Sequence, residues 1–532
     1  MTKWVDRSYP FLFALIPVLR LVAGFPGWAE LADVAVILTT AIAACGVLYG
    51  VALAATRRGG GRLAPLIVMA AVLGFWMYPR VAILMDRRVG VSHPVLLPLW
   101  AGATLGTIWW LARRPAFLDG AQRFLTLTSA ILVAWFGLVI GVNERRSAGS
   151  LQRSTLVQHL AQPIPVRPGT ENGPKPDIYL IVLDEYANAE VTRWLFGFDN
   201  HVFLDSLRRL GFVVPAVHSN YLHTFLSLPS LLNAAHVAGL SGEIGPRSVD
   251  RTVPDYLVQH NRTVRFLKSQ GYTFEFFPSR GWEATRHSPE ADLEFDAWQG
   301  SEHNSLITRS GLRGVLYKTS LLRYIDLGGH QDIQLHLFRT FAGLARTPKI
   351  PGSVFAFAHV LSPHDPYVVD RDCRPASWRL PRSTRLEVTG RPYVEQIQCL
   401  NRLVLDLVTT LLRESERPPI ILLQGDHGSK ALMFDQASSA EAITLAAARE
   451  RLGAFGAYYL PGRGREVVGD SVTVVNVMGD VLRSYFGAEL PRQPDDMYLS
   501  VDRAPYAFKR VDFGWLAGGN RSVTSRKPST AR

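Results

Sequence analysis

Apolar runs of membrane-spanning length fill most of the first 145 residues. They extend over roughly 9–25, 32–55, 64–85, 94–112 and 124–142, each near the ~20 residues that cross the hydrocarbon of a bilayer. Polar, arginine-bearing loops separate several of them. A bundle of buried helices in a soluble protein is the alternative, but near-continuous apolar runs of this number are difficult to place there. The pattern predicts a transmembrane anchor of about five helices over residues 1–145.

Basic residues give the anchor an orientation. Lys3 and Arg7 at the N-terminus fall on the same side as the loops 56–63 and 113–123, which carry arginines. The positive-inside rule assigns that side to the cytoplasm. Five crossings would then place everything after residue 143 on the outer face of the membrane.

Beyond the anchor the hydrophobic pattern changes. Residues 146–176 are polar and rich in proline, which predicts a linker. From residue 177 to 505 strand-like and helix-like segments alternate, which predicts an α/β domain with a doubly wound, mostly parallel sheet. Residues 506–532 are expected to form a tail that is partly disordered. The predicted strands are 177–183, 272–277, 353–360 and 420–424, and the predicted helices 199–210, 224–238 and 393–413.

Charge and cysteine content narrow the function classes. The net charge is +12, but residues 1–147 hold 14 Lys and Arg against 6 Asp and Glu. The basic balance therefore mostly reflects the flanks of membrane helices, and nucleic-acid binding is not expected. The three cysteines form no zinc pattern. Cys373 and Cys399 would form a disulfide in an oxidising compartment, worth about 3 kcal/mol, with two unpaired buried thiols as the alternative.

The candidate chemistry lies where predicted strands end. The apolar run Ile420–Leu423 stops at Gly425-Asp426-His427-Gly428, which presents two metal-capable side chains at a strand's carboxyl end. Ligands bind at that edge of open α/β sheets. The flanking glycines are expected to let the backbone turn sharply. Asp184, with Glu185 beside it, ends the first predicted strand of the domain.

A hydroxyl and two imidazoles accompany these carboxylates. Thr224 follows a turn and begins a predicted helix, where the helix dipole would favour an alkoxide or a bound anion. His359 and His364 come at and just after the end of another predicted strand. Carboxylate, imidazole and hydroxyl groups together suit Zn, Mn or Mg. The alternatives are that Thr224 only caps its helix and that His359 only satisfies buried backbone.

These stretches together resemble the alkaline phosphatase superfamily. The similarity is to its sulfatase-like branch of membrane-anchored hydrolases and transferases, which includes lipoteichoic acid synthases and phosphoethanolamine transferases. It covers roughly residues 177–500, and the preceding apolar segments look like the anchored architecture. The matching motifs are Leu183-Asp184-Glu185, Asn220-Tyr221-x-x-Thr224-x-x-Ser227, Ser362-Pro363-His364-Asp365-Pro366-Tyr367 and Gly425-Asp426-His427-Gly428.

The resemblance implies a function and a set of roles. The enzyme would transfer a phosphoglycerol- or phosphoethanolamine-like group, or hydrolyse a phosphodiester, in a bacterial inner membrane with its catalytic domain outside. The donor would be a membrane lipid or a lipid-linked molecule, and the acceptor an envelope glycan or lipid. Thr224 would be the nucleophile. One divalent ion would be bound by Asp184, Thr224, Asp426 and His427, while His364 and His359 would hold the anionic oxygens of the substrate.

Two other functions remain open. Sulfatases carry a Cys/Ser-x-Pro-Ser-Arg motif, and Ser227-Leu228-Pro229-Ser230-Leu231 has its shape without the arginine, so an unmodified Thr224 is preferred. A non-catalytic envelope binding or scaffold protein is the rival from another class. A complete second set of metal ligands is not found, which favours a one-metal site. Glu185 could support the site or simply face solvent.

Overall fold

The chain divides into two compact units. One is formed by Met1–Gly149 with Ser305–Gly329, and the other by Ser150–Asn304 with His330–Arg532. The basic loop 57–62, the N-terminal residues 1–7 and the end of the predicted tail at 519–532 lie outside the described residues. The computed structural model describes residues 8–24, 26, 31–56, 63–91, 93–169, 175–279, 282–297, 311–324, 329–376 and 386–518.

Apolar helices make up most of the first unit. Within the described residues, four of them are long and apolar enough to cross a membrane. The first predicted segment forms a shorter apolar helix of 16 residues. All the predicted segments are therefore helical, and four have the length of a membrane span. The helices are Tyr9–Gly24, Leu31–Ala55, Ala64–Val89, His93–Ala112 and Pro115–Arg153.

The outward faces of these helices are apolar. Leu105 and Phe124 are each 67% exposed, and Trp135 is 58% exposed. In water such a surface would promote association, whereas lipid hydrocarbon solvates it well. The helices are therefore suited to contact with lipid, as their apolar runs predict.

A short segment from the middle of the chain also belongs to the first unit. In helix Gly311–Thr319, Leu312 is fully buried in a cluster that contains Val18 of the first apolar helix. Arg313 of the same helix donates a hydrogen bond to Asp33 at 2.9 Å. The sequence analysis counted this segment with the outer domain, but its apolar contacts place it with the anchor.

The second unit contains one large and two small sheets. The small sheets are β10–β11 and β7–β2–β9, and neither was predicted, because their strands are short or follow no clear apolar alternation. In chain order the strands are β1 Ile178–Leu183, β2 Ala216–His218, β3 Thr273–Phe277, β4 Leu293–Glu294, β5 Val354–Val360, β6 Ile420–Gly425, β7 Gly453–Ala454, β8 Gly456–Tyr459, β9 Ser471–Thr473, β10 Met497–Val501 and β11 Ala504–Val511.

The large sheet has the strand order β4–β3–β5–β1–β6–β8. All its neighbours pair in parallel except β8, which is antiparallel to β6. The predicted α/β fold with a mostly parallel sheet is confirmed. The antiparallel edge strand β8 was not predicted.

The central strands β1, β5 and β6 are buried along their whole length. One face of the sheet packs against a core that includes Leu228 and Val477. The other packs against Leu400 and Val404 of the long amphipathic helix Leu386–Glu414. Because both faces are covered, these strands are apolar throughout rather than alternating, and their ends are held firmly.

Helices surround this sheet on both faces. Three of them correspond to the predicted helices 199–210, 224–238 and 393–413, with shifted ends, and the others were not predicted. The helices of the second unit are Thr155–Leu160, Ala189–Phe196, His201–Arg209, Thr224–Asn233, Leu240–Ile244, Thr252–Gln259, Arg262–Ser269, Gly329–Leu344, Leu386–Glu414, Leu445–Leu452, Arg465–Val468, Val474–Phe486 and Phe513–Leu516.

The predicted linker 146–176 is largely helical in its first half. The last anchor helix continues to Arg153, and Ser154 then caps the next helix by accepting a hydrogen bond from the backbone N–H of Val157. Leu160 is buried in the second unit. The first part of the predicted linker is therefore helical, with a capped break at Ser154.

Two further boundaries differ from expectation. The helix predicted over 224–238 ends at Asn233, because Ala234 adopts a left-handed φ of 47°. Strand β11 pairs with β10 as far as Val511. The domain therefore continues beyond residue 505, where the tail was predicted to begin.

The predicted disulfide is present. Cys373 and Cys399 are bonded with a Cα–Cα distance of 5.0 Å. The bond joins the chain after β5 to the long helix Leu386–Glu414. Two unpaired thiols, the alternative considered from the sequence, are thereby excluded.

Candidate active site

The main candidate residues come from three neighbouring parallel strands. In the register of the sheet, Leu183 at the end of β1 lies beside Val360 of β5 and Gly425 of β6. The carboxyl ends of these strands therefore meet at one edge. Asp184 follows β1, His359 is the penultimate residue of β5, and Asp426 follows β6.

Asp184, His359 and Asp426 form a buried cluster of potential ligands. One ligand atom from each lies within 4.8 Å of the other two, and His359 Nε2 is 3.7 Å from Asp184 Oδ2. Among the described residues, Asp184 Oδ1, Asp426 Oδ2 and His359 Nε2 have no hydrogen-bond partner. Buried polar atoms are almost always paired in proteins, so three orphans in one cluster indicate a bound cation.

His427 adds another acceptor to this cluster. Its Nδ1 lies 3.2 Å from the carbonyl oxygen of Gly428, which can only accept, so the proton is assigned to Nδ1. Nε2 then carries a lone pair and lies 3.0 Å from Asp426 Oδ2. Two acceptor atoms facing each other at this distance are stabilised by a cation between or beside them.

Thr224 presents a hydroxyl group to His427. It is the first residue of helix Thr224–Asn233, and its Oγ1 lies 2.8 Å from His427 Nε2. The residue before it, His223, is the N-cap and forms no side-chain capping bond. The helix-capping role considered for Thr224 is therefore not the one observed, since its hydroxyl points to the imidazole.

The two glycines around Asp426-His427 are required for close backbone approach. A Cβ at Gly425 would lie 2.5 Å from the carbonyl oxygen of Tyr186, and a Cβ at Gly428 only 2.0 Å from that of Glu450. Neither glycine has a positive φ. The expectation that they permit an unusual turn is thus corrected: they leave room for neighbouring backbone.

Ser227 has a structural position. Its hydroxyl is fully buried and donates to the backbone carbonyl of Asp426 at 2.6 Å, as does Ser219 at 2.7 Å. These bonds fasten the helix of Thr224 to the end of β6. Modification of Ser227, which a sulfatase would need, would break this contact.

Glu185 is buried and paired, so the solvent-facing alternative for it is excluded. It adopts a left-handed φ of 62°, an uncommon conformation for a non-glycine residue. Its N–H donates to Asp426 Oδ1 at 3.1 Å, and its Oε1 accepts from Arg451 Nη1 at 2.7 Å. Arg451 also donates to His427 Nε2 at 2.9 Å.

Lys430 lies at the more accessible side of the site. Its Nζ is 3.4 Å from Glu185 Oε1, 3.2 Å from Asp365 Oδ1 and 3.3 Å from His364 Nε2. The Lys430 side chain is 39% exposed and that of His364 31% exposed. A substrate can therefore reach these two side chains, in contrast to the buried carboxylates.

Charge and burial divide the carboxylates into two kinds. Burial, with the charges of Asp426 and Glu185, raises the pKa of Asp184 well above its usual value. Burial would also raise the pKa of Asp426, but its charged and polar surroundings, Arg451 among them, hold that pKa below its usual value. Asp184 is therefore the weaker acid of the two.

The pKa of Glu185 is low for a buried acid. Burial acts to raise it, yet the neighbouring His364, Lys430 and Arg451 lower it to about 2. Glu185 is therefore ionised at neutral pH and is neutralised by side chains of the protein itself.

Burial also lowers the pKa values of the two inner histidines, that of His359 to about 4. Both imidazoles are therefore neutral at neutral pH. The neutral ring is the form that offers a lone pair to a metal ion or accepts a hydrogen bond.

The structure brings together all the residues singled out from the sequence: Asp184, Thr224, His359, His364, Asp426 and His427. The sequence analysis missed Lys430 and Arg451. Lys430 could have been noticed as the basic residue in the loop that follows His427. Arg451 had no signal, because it reaches the site from helix Leu445–Leu452, far along the chain and outside any recognised motif.

The comparisons with known proteins gave similarities only at the level of structure. No family model and no curated protein matches the chain. The chain is similar to the periplasmic domain of EptC from Escherichia coli in complex with Zn, with 10% identity, a TM-score of 0.45 and coverage of 68% of this chain and 99% of that one. It is also similar to the lipoteichoic acid synthase LtaP from Listeria monocytogenes, with 12% identity, a TM-score of 0.38 and coverage of 65% and 79%. A third similar structure is the soluble domain of lipooligosaccharide phosphoethanolamine transferase A from Neisseria meningitidis, with 12% identity, a TM-score of 0.38 and coverage of 61% of this chain and 90% of that one. Identities and TM-scores this low leave the reaction to be argued from the site itself.

Proposed function

We propose that this protein is a metal-dependent enzyme that transfers or hydrolyses a phosphoryl group at a phosphate ester or diester, with Thr224 as its nucleophile. The position of Thr224 carries the proposal. Its hydroxyl stands at a helix N-terminus, 2.8 Å from His427 Nε2, and that nitrogen is 3.0 Å from Asp426 Oδ2. A hydroxyl beside a cluster of cation-seeking acceptors is suited to activation as an alkoxide.

One divalent ion would be held by Asp184, Asp426 and His427 together with the Thr224 hydroxyl. We also assign His359 to the ion, rather than to substrate as the sequence suggested, because its Nε2 is buried, unpartnered and near both carboxylates. The mixture of carboxylate and imidazole ligands suits Zn or Mn. When bound, the ion would lower the pKa of the threonine hydroxyl and neutralise an anionic phosphoryl oxygen.

The reaction of the chain's own residues is a double displacement. The Thr224 oxygen bonds to phosphorus while the bond from phosphorus to the donor alcohol breaks, and the departing alkoxide gains the proton that Thr224 loses. The helix N-terminus favours negative charge at the threonine oxygen. The oxygen of an acceptor hydroxyl, or of water, then bonds to phosphorus while the bond from phosphorus to the Thr224 oxygen breaks, and Thr224 regains a proton from the attacking hydroxyl.

The accessible side of the site would bind the substrate. His364 is partly exposed and lies 3.3 Å from Lys430 Nζ, so it can contact a phosphate oxygen that enters from solvent. Four helices of membrane-spanning length in the same chain favour a lipid or lipid-linked donor. The acceptor would be an envelope glycan or lipid, and a phosphoglycerol- or phosphoethanolamine-like group would be transferred.

The test uses the full-length protein in detergent with zinc and bis(p-nitrophenyl) phosphate. Wild type should release p-nitrophenolate, while Thr224→Ala should lose activity at least about 10³-fold because the nucleophile is gone. Thr409→Ala on an exposed helix face is the matched control and should keep full activity. Wild-type turnover by Thr224→Ala would refute the nucleophile assignment. Inactivity of every variant would favour the binding or scaffold alternative.

His359→Ala separates the two roles considered for that histidine. As a metal ligand, its loss should weaken zinc binding by more than the about 10- to 100-fold that loss of a residue supporting a ligand costs, measured by equilibrium dialysis without substrate. Unchanged zinc affinity with a raised KM would instead support the substrate-binding role. Mass spectrometry of the peptide around Ser227 tests the sulfatase alternative, for which a formylglycine should be found.

A further inference from the structure

The site contains two neighbouring groups with the donor chemistry of a metal site. The first is Asp184, His359 and Asp426, and the second is formed by Glu185, His364 and Asp365. In each, one potential ligand atom per residue lies within 4.8 Å of the others. The residue types of the two groups alone would predict a site for two metal ions.

The two groups differ in the cations that already contact them. Lys430 Nζ lies 3.4 Å from Glu185 Oε1, 3.3 Å from His364 Nε2 and 3.2 Å from Asp365 Oδ1, so it contacts every member of the second group. Arg451 adds a hydrogen bond of 2.7 Å to Glu185. Within the described residues, each member of the first group instead keeps a buried nitrogen or oxygen atom without a hydrogen-bond partner.

A lysine in this position opposes metal binding by the second group. A divalent ion held by the same three ligand atoms would stand within a few ångströms of the ammonium, and like charges at such a distance repel strongly in a partly buried site. The ammonium already neutralises Glu185 and Asp365, which removes the electrostatic gain that would attract an ion. In the described part of the chain, the carboxylates of the first group pair with histidines, and the nearby Arg451 is hydrogen-bonded to His427 at 2.9 Å.

We infer that Lys430 takes the place of a second metal ion: its ammonium keeps metal out of the group formed by Glu185, His364 and Asp365, and it binds a phosphoryl oxygen of the substrate. The side chain is 39% exposed, so a substrate can reach it. It follows His427 in the same loop, and it shares Glu185 as a partner with Arg451, which is hydrogen-bonded to His427 at 2.9 Å. Lysine binds phosphate as a compact point charge and needs no fixed fork geometry.

This inference rests on the proposed function, and counting bound metal tests it independently of turnover. Full-length protein in detergent is stripped with a chelator, dialysed against zinc and analysed for zinc per chain. Wild type should hold one ion. Lys430→Met, which removes the charge but keeps the length of the chain, should hold two, while Lys430→Arg should hold one. Lys349→Met, at an exposed lysine outside the site, is the matched control and should hold one.

Each outcome has a distinct meaning. Two ions in wild type, or one ion in a folded Lys430→Met protein, would overturn the inference and leave the proposed function standing. No zinc in any variant would overturn both. Size-exclusion profiles and melting curves establish that the variants are folded, and Lys430→Gln provides a second neutral replacement.

Inorganic phosphate tests the second half of the inference. With zinc limited to one equivalent, the inhibition constant for phosphate against the chromogenic diester should rise at least tenfold in Lys430→Gln. It should stay unchanged in Lys349→Met. An unchanged constant in Lys430→Gln would show that the ammonium does not contact the phosphoryl group, whatever the zinc count.

Discussion

Replacement of Gly428 by alanine should disable the site while leaving every proposed ligand in the sequence. The new Cβ would lie 2.0 Å from the carbonyl oxygen of Glu450 and 2.8 Å from that of Gly453. Real contacts of this kind are rarely below 3.0 Å, so the backbone must shift by about 1 Å. Neither side can yield easily, because the Glu450 carboxylate accepts hydrogen bonds from Ser429 Oγ and the N–H of Leu432 at 2.6 and 2.8 Å.

A shift of that size affects the neighbouring His427 directly. Displacement of a reacting group by about 1 Å can lower turnover about 10²-fold, and misplaced ligand support lowers metal affinity about 10- to 100-fold. Overpacking should also reduce stability by about 1–3 kcal/mol. Gly425→Ala, with its Cβ 2.5 Å from the Tyr186 carbonyl oxygen, should have the same effects to a smaller degree.

Zinc affinity, diester turnover and melting temperature of the full-length protein measure these effects. Gly242→Ala is the matched control, since its Cβ would meet nothing within 4 Å and its φ is not positive. It lies in a helix, where alanine should be neutral or stabilise by about 0.5–1 kcal/mol. The severity should follow the order Gly428, Gly425, Gly242. Wild-type zinc affinity and turnover in Gly428→Ala would refute the argument that backbone contact positions His427.

Three further changes test buried interactions elsewhere in the second unit and beside the site. Burial raises the pKa of Glu275 to about 6, so this residue destabilises the fold as the pH rises from about 4.5 through 6. The free energy of unfolding of Glu275→Gln should therefore exceed that of wild type by about 2 kcal/mol at pH 8 and equal it at pH 4, as melting curves at the two pH values would show. Replacing both Cys373 and Cys399 by serine opens a loop with a sequence separation of 26, which should lower the free energy of unfolding by about 3.5 kcal/mol. Wild-type protein whose disulfide has been reduced should melt at the same temperature as the variant. Arg451→Met leaves the carboxylate of Glu185 without its 2.7 Å partner, so it should lower the free energy of unfolding by about 3 kcal/mol, seen as a lower melting temperature. Arg451→Lys should lower the free energy of unfolding by less.

The central strands and the core of the site could be predicted because their signals are local. A continuous apolar run such as Ile420–Leu423 is typical of a strand covered on both faces, and polar residues directly after it must lie at the sheet edge. Three such stretches identified Asp184, His359 and Asp426 without any knowledge of the topology, and Thr224 was identified from a turn before a predicted helix. The convergence of the three strand ends followed from parallel pairing.

The remaining features depend on contacts between distant parts of the chain. Arg451 and Glu185 are separated by 266 residues, and nothing near either one indicates the other. The need for glycine at 428 also comes from the backbone of a remote helix, at Glu450. The same limit applies to Glu185, because an acid after a strand can be solvated or buried, and only the position of its partner decides between them.

The segment 305–329, which leaves the second unit and returns to it, has a consequence for how this protein can be dissected. The polypeptide passes between the units near residues 149, 304 and 329, so a single protease cut near residue 149 would not release a free fragment. A truncated protein that starts at 150 would retain helix Gly311–Thr319 after losing its apolar partners, such as Val18. Leu312 and Leu316 would then be presented to water on a secreted product. Deletion of 305–329 and closure of the gap with a short flexible sequence would be needed for a monodisperse soluble fragment.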